Sequence, residues 1–188
     1  MVPVLILLSC LGQPGAEASV QPTALELPKP HFHQQPGDPA WLVQTVQIHG
    51  HLGPVVVAGA RFGMAGLRSV GAQGFFDVEV SCEGPFARPP QSCFLDGLQV
   101  GTGATLGKQS IHWKPADHVS VRVKNTRTGK TVELRPTARL LELVAFLRPP
   151  AKNAKTNEDD HEHKSEAAVE ALSRKIAAMP DAEIVVVQ

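Results

Sequence analysis

The sequence predicts an α+β fold in a single domain, and three observations carry that prediction. An apolar run opens on Gly53-Pro54 and continues to Val70, and a proline in the first helical turn loses no N–H that the helix needs. Val119, Val121 and Val123 alternate with polar residues, as a half-buried strand does, and a turn at Thr126-Arg127-Thr128-Gly129 leads back into KTVELRP. Helical and extended segments are mixed without a regular β-α-β rhythm. A length of 188 residues suits one domain with tails, and a hydrophobic content of 43% suffices for a core.

The chain opens on MVPVLILLSCLG, an apolar run too short to span a bilayer as a helix. Ala16-Glu17-Ala18 follows as a small-x-small pattern, so residues 1–18 are expected to be a signal peptide cut after Ala18. The expected location is therefore periplasmic or secreted, with no transmembrane helix in the mature chain. Lipid anchoring through Cys10, in Leu-Leu-Ser-Cys, is the less favoured alternative, and no basic residue precedes the run. Residues 19–40 are rich in proline and are expected to be a linker, with His31 and His33 as polar filler and metal capture as the minor reading.

The folded part is expected over residues 41–188. WLVQTVQIH reads as a short helix or strand, and 54–70 as a helix with Gly59 and Gly63 on one face. Each interior glycine costs a helix about 1 kcal/mol against alanine, which points to close packing against another element. FFDVEVS (75–81) alternates as a strand. SCFLDGLQV (92–100) reads as a helix, 101–108 as a glycine-rich loop, and IHWK as a brief strand. After the hairpin come a helix over 137–147, a polar linker at 149–164, a helix from Ser165 as N-cap, and a terminal strand in DAEIVVVQ.

Charge and composition exclude some functions. Lysines plus arginines equal aspartates plus glutamates at 18 each, so no basic excess exists for phosphate neutralisation and no nucleic-acid partner is expected. Tyrosine is absent and aromatics are 5%, which argues against a stacking platform. The loop GTGATLGKQ is no Walker loop, because Thr102 stands at the first glycine and Gln109 at the Ser/Thr.

The residues left for chemistry are few. His49 and His51 flank one glycine, and residues two apart point the same way in an extended chain, so both imidazoles can meet one ion. Imidazole suits zinc, nickel, copper or iron. Cys93 and Asp96 are three apart and share a helix face; a thiolate and a carboxylate there can help hold a metal, while spacing alone favours a buried thiol and a backbone-bonded aspartate. DDHEHK (159–164) reads as solvated linker.

Three stretches in order, HGHLGP at 49–54, SCFLDGLQV at 92–100 and TGATLGK at 102–108, resemble the FmdE family, which takes its name from formylmethanofuran dehydrogenase. Its members typically show His-Gly-His-x-Cys-Pro-Gly, then Cys-x-x-Asp-Ala-Ile-Gln, then Thr-Gly-Cys-Thr-x-Gly-Lys. Gly53 and Ala104 stand where two of those cysteines lie, and Val55 replaces a glycine.

The resemblance implies a metal-associated site, with His49, His51 and Cys93 as ligands of a divalent transition metal such as zinc, nickel or iron. Asp96 would orient a histidine, while Gln99, Thr102, Gly107 and Lys108 would hold a small anionic ligand. It also implies a homodimer, with the Gly59/Gly63 face as a candidate interface, and a link to one-carbon metabolism. Whether the protein is an enzyme is left open. The alternative is a non-catalytic binding or scaffold protein with a degenerate site and a Cys82–Cys93 disulfide. A hydrolase using His51 as base, Asp96 as its partner and Ser92, Ser110 or Thr102 as nucleophile ranks last, since no G-x-S-x-G elbow is present.

Overall fold

The computed structural model describes residues 26–147 and 165–188. The expected signal peptide, Cys10 and the DDHEHK stretch lie outside the described residues. Helix α1 (Ala40–His49) leads into α2 (Pro54–Val70), and strand β1 (Val78–Gly84) into α3 (Cys93–Thr102). Strands β2 (Ile111–Pro115), β3 (Ser120–Asn125) and β4 (Thr131–Pro136) follow. Then come α4 (Ala138–Leu143), a 3-10 turn (Ala145–Leu147), α5 (Glu166–Ala178), α6 (Asp181–Ile184) and β5 (Val185–Val187). The architecture is α+β: helices pack on one mixed five-stranded sheet of order β2-β1-β3-β4-β5.

Most elements sit where local signals place them. Pro54 opens α2 with Gly53 as N-cap, and Gly71 closes it at a left-handed φ of 69°. Ser165 caps α5 by accepting from the Ala168 N–H, and Thr137 caps α4 from Leu140. The hairpin pairs Val121 with Leu134 and Val123 with Val132.

Four differences have identifiable causes. Strand β1 begins at Val78 rather than residue 75, because Asp77 accepts the Gln73 and Gly74 N–H groups and folds that stretch into a turn, leaving Phe75 and Phe76 exposed. Strands β1 and β2 are parallel, so one β-α-β crossover exists after all, with α3 and the glycine-rich loop as its connection. The helix expected over 137–147 breaks at Val144, where φ and ψ leave the helical region. The terminal stretch makes one helical turn, α6, before β5 adds antiparallel to β4.

Glycines decide how the helices meet. A Cβ on Gly97 would stand 2.0 Å from the Val56 carbonyl oxygen, and one on Gly59 2.1 Å from that of Phe94. Gly101 lies equally tight on Ala60. Helices α2 and α3 thus touch backbone to backbone, in parallel, along Val56–Gly63 and Phe94–Gly101. This fills the Gly59/Gly63 face from within the chain and corrects its expected use as an interface between copies. Further on, Gly66 abuts Val123 and Leu134 of the sheet.

Two charged groups tie distant segments to this core. Arg61, 8% exposed on α2, donates to the carbonyls of Ile176, Ala177 and Met179 at the end of α5 and pairs with Asp181. It satisfies carbonyls that a helix end leaves open. Arg174 on α5 grips Asp38 at 2.8 and 2.9 Å and donates to the His33 carbonyl. The Arg174 guanidinium beside Asp38 holds that carboxyl below the usual range, against the opposing effect of burial. The described part of the expected linker, 26–39, therefore lies along the domain; the His31 N–H also donates to the Gly50 carbonyl at 2.7 Å.

Both remaining thiols are free, so the disulfide of the scaffold alternative is not formed. Cys82 faces the core from β1, where burial pushes its thiol well above the ordinary range. Among the described residues no helix is long and apolar enough to cross a membrane.

Gly97→Ala is expected to destabilise by about 3 kcal/mol or more, since the added methyl meets fixed backbone rather than a side chain that can rotate. Gly107, with nothing within 4 Å of a built Cβ, serves as control. There alanine should shift stability by no more than about 0.5 kcal/mol in urea denaturation.

Candidate metal site

His49 is the last residue of α1, and Gly50 caps that helix at a φ of 97°, in the left-handed region glycine tolerates. The two histidines therefore meet through a tight reversal rather than along an extended chain. His51 leaves the turn and forms a parallel bridge with His31. The two rings come to rest with centroids 4.6 Å apart and planes inclined at 42°.

Helix α3 supplies the facing groups from its first turn. His49 Nδ1 lies 2.8 Å from Asp96 Oδ2. The His49 side chain is 9% exposed and that of Asp96 44%. His49 Nε2 is buried with no hydrogen-bond partner among the described residues. The Asp96 bond, and after it the nearby Cys93 thiol, raise the His49 pKa to about 9 against the cost of burial. The Cys93 sulfur thus acts on His49 without completing a hydrogen bond to Nε2. His51 moves the other way: burial first, then the charge on His49, lower its pKa, while Glu166 opposes them. One imidazole favours the cation and its neighbour favours the neutral, lone-pair form.

The chemistry of the donors suits a divalent transition metal: one ring nitrogen of His49 is oriented by a carboxylate and the other is unpartnered, the arrangement metal-ligating histidines commonly show, and the His51 imidazole and Cys93 thiol stand near it. Their ligand atoms are not gathered as closely as those of His33, Glu166 and Glu170, which among the described residues all lie within 4.8 Å of one another. A Cβ on Gly53 would stand 3.1 Å from His51 Nε2. The position where the resemblance expects a cysteine is therefore beside this cluster, and glycine leaves that flank without a thiol.

The other expected residues stand apart. Cys93 and Asp96 lie in the first turn of α3 and Thr102 at its last residue. Six residues of helix separate Asp96 from Thr102, about 9 Å along the axis. Thr102 is buried, donating to the Leu98 carbonyl and accepting from the Ala104 N–H. Gln99 Oε1 accepts from the Leu106 N–H at 3.3 Å and so anchors the loop. Gly107 lies in that loop, in open space. Lys108 Nζ donates to the Gly103 carbonyl and lies 5.5 and 5.3 Å from the Phe75 and Phe76 ring centroids. The expected anion-holding residues thus do not converge on His49, and Ala104, fully buried beyond the end of α3, belongs with them. Of the residues named for the hydrolase or transferase alternative, Asp96 pairs with His49 and not with His51, and Thr102 is buried.

Sequence reasoning gave His31 and His33 only a minor metal role and passed over Glu166 and Glu170, all close by. His31 Nδ1 is 2.9 Å from Glu166 Oε1, and His33 Nδ1 is 3.3 Å from Glu170 Oε1. The available signals were a second His-x-His and a Glu pair four apart on a helix.

Replacing Asp96 with Asn should return the His49 pKa from about 9 towards the ordinary 6.5, read by NMR titration of the imidazole. Since the folded value is the raised one, the ion pair stabilises most below pH 6.5 and is lost as pH rises through 9. The stability gap between wild type and Asp96→Asn should therefore shrink over that window in urea melts at stepped pH. A gap that stays constant from about pH 6 to about pH 10 would contradict the pairing.

No curated protein matches the chain. Residues 48–186 match the family model described as FmdE, Molybdenum formylmethanofuran dehydrogenase operon. That span starts one residue before His49, takes in α2, strands β1 to β4, α5 and most of β5, and exceeds half of the chain. The chain belongs to the FmdE family.

Proposed function

We propose that this protein is an exported FmdE-family member that binds one divalent transition metal through His49, His51 and Cys93, with Asp96 orienting His49. The observation that carries the reading is the buried, unpartnered Nε2 of His49. A buried polar atom without a partner is costly, and a metal ion would satisfy it. The bond to Asp96 that favours a proton on His49 equally favours a cation there. Bound metal would supply a Lewis acid able to polarise a carbonyl or hold an anionic oxygen. Around it, the chain's own residues orient the ligand histidine and leave the Gly53 flank open to a small ligand.

Family membership suggests a link to one-carbon metabolism of the formylmethanofuran type. The apolar leader and the Ala16-Glu17-Ala18 pattern support export, and an N-terminus at Ser19 in protein recovered from the periplasm or medium would establish it. A homodimer remains part of the proposal, through a face other than Gly59/Gly63; a monomer mass by light scattering would overturn it.

Gly53 favours a second reading, a scaffold that kept the fold after losing a ligand. Metal analysis of the chain from Ser19, purified without a His tag, decides between them. The wild type should carry one equivalent more than a His49→Ala/His51→Ala variant. Equal metal in the two, even after incubation with zinc, nickel and iron, would leave the scaffold reading.

A further inference from the structure

The segment before α1 and the first turns of α5 bring together side chains that the site above does not use. One ring nitrogen of His33 and one carboxylate oxygen each from Glu166 and Glu170 lie within 4.8 Å of one another. His31 stands beside this group, its Nδ1 2.9 Å from Glu166 Oε1. The two glutamates are four apart on α5 and share a face. The two histidines come from a segment far earlier in the chain, and His33 stands before the span that matches the family model.

The parts differ in rigidity. The Glu170 side chain is 5% exposed; Arg174 holds its Oε2 at 3.0 Å, while its Oε1 faces His33 and accepts the His33 N–H at 2.8 Å. Burial pushes the Glu170 pKa up, but the His33 N–H and Arg174 outweigh it, and the group is held as a carboxylate. The His33 and Glu166 side chains are more exposed, at 75% and 45%. Ligand atoms around a tetrahedral zinc stand about 3.4 Å apart, given bonds of about 2.1 Å. A zinc ion held here would draw the two exposed side chains towards the fixed Glu170. Arg174 pairs with both Asp38 and Glu170, so the three carboxylates of Asp38, Glu166 and Glu170 outnumber its one positive charge and leave the charge that a dication needs.

We propose that His33, Glu166 and Glu170, with His31 beside them, form a second divalent-cation site of the zinc class, one that fastens the N-terminal segment to α5. The clasp lies next to the first site, because His31 is bridged to His51. Filling it holds the segment down beside the His49–His51 pair.

Calorimetric titration of the full chain with zinc chloride tests this. The double variant His33→Ala/Glu166→Gln changes two exposed side chains and should fold as the wild type does, checked by circular dichroism. It should lose one zinc equivalent, or bind that equivalent at least tenfold more weakly. In a His49→Ala/His51→Ala/Cys93→Ala background one equivalent should persist and disappear when the two further changes are added. Hydrogen exchange of residues 26–39 should slow on zinc addition in the wild type and not in His33→Ala/Glu166→Gln. Unchanged stoichiometry and affinity in that variant would overturn the proposal and leave the first site standing. Loss of zinc in it, with none lost on changing His49, His51 and Cys93, would sink the first reading and keep this one.

Discussion

The direct backbone contact between α2 and α3 is the constraint from which the rest follows. Val56, Gly59, Ala60 and Gly63 on one helix meet Phe94, Gly97, Leu98 and Gly101 on the other, with no room for a Cβ at the glycines. Interior glycine weakens an isolated helix, so these positions are favourable only because the partner helix is there. Their order along both helices makes the two run in parallel. Two parallel helices in this register bring their N-terminal ends together. One end carries His51 and Gly53, the other Cys93 and Asp96. The site is a consequence of helix register, and the chain that connects α1 to α2 has only to turn back at Gly50 to add His49.

The same register explains why the glycine-rich loop is elsewhere. It leaves the C-terminal end of α3, beside Gly63 and close to the sheet, and returns to β2 to complete the parallel crossover. Thr102 and Lys108 close hydrogen bonds within that corner, and Gln99 fastens it from the helix. A motif for which the resemblance implies an anion-holding role makes a sharp turn and caps a helix here. The family's two missing cysteines therefore have unequal consequences: position 53 borders His51 Nε2, whereas position 104 is buried in the corner.

Local signals made much of the fold legible. Gly53-Pro54 marked the start of α2, Ser165 the start of α5, and valine alternation the β3–β4 hairpin. The parallel β1–β2 pair was not legible, because its partners are set by a crossover and not by alternation. Nor was the role of Arg61, which is defined by carbonyls far along the chain at the end of α5. For the site, spacing put Cys93 and Asp96 on one face, and the family pattern joined them to His49 and His51. The segment at 26–39 read as linker because proline count reports stiffness and not whether an arginine elsewhere will grip an aspartate. Asp38, His31 and His33 acquire meaning only once α5 is placed beside them.

The electrostatics of the histidine pair also bear on the proposed metal. An imidazole raised to about 9 holds a proton at neutral pH, and its neighbour is held neutral partly by that charge. A metal ion held here would take the place of the His49 proton and keep the interaction with Asp96 that stabilises it. Burial and the charge on His49 lower the His51 pKa and so favour its neutral form. The pair thus divides the work: one ring holds positive charge in a buried place, and the other offers a lone pair.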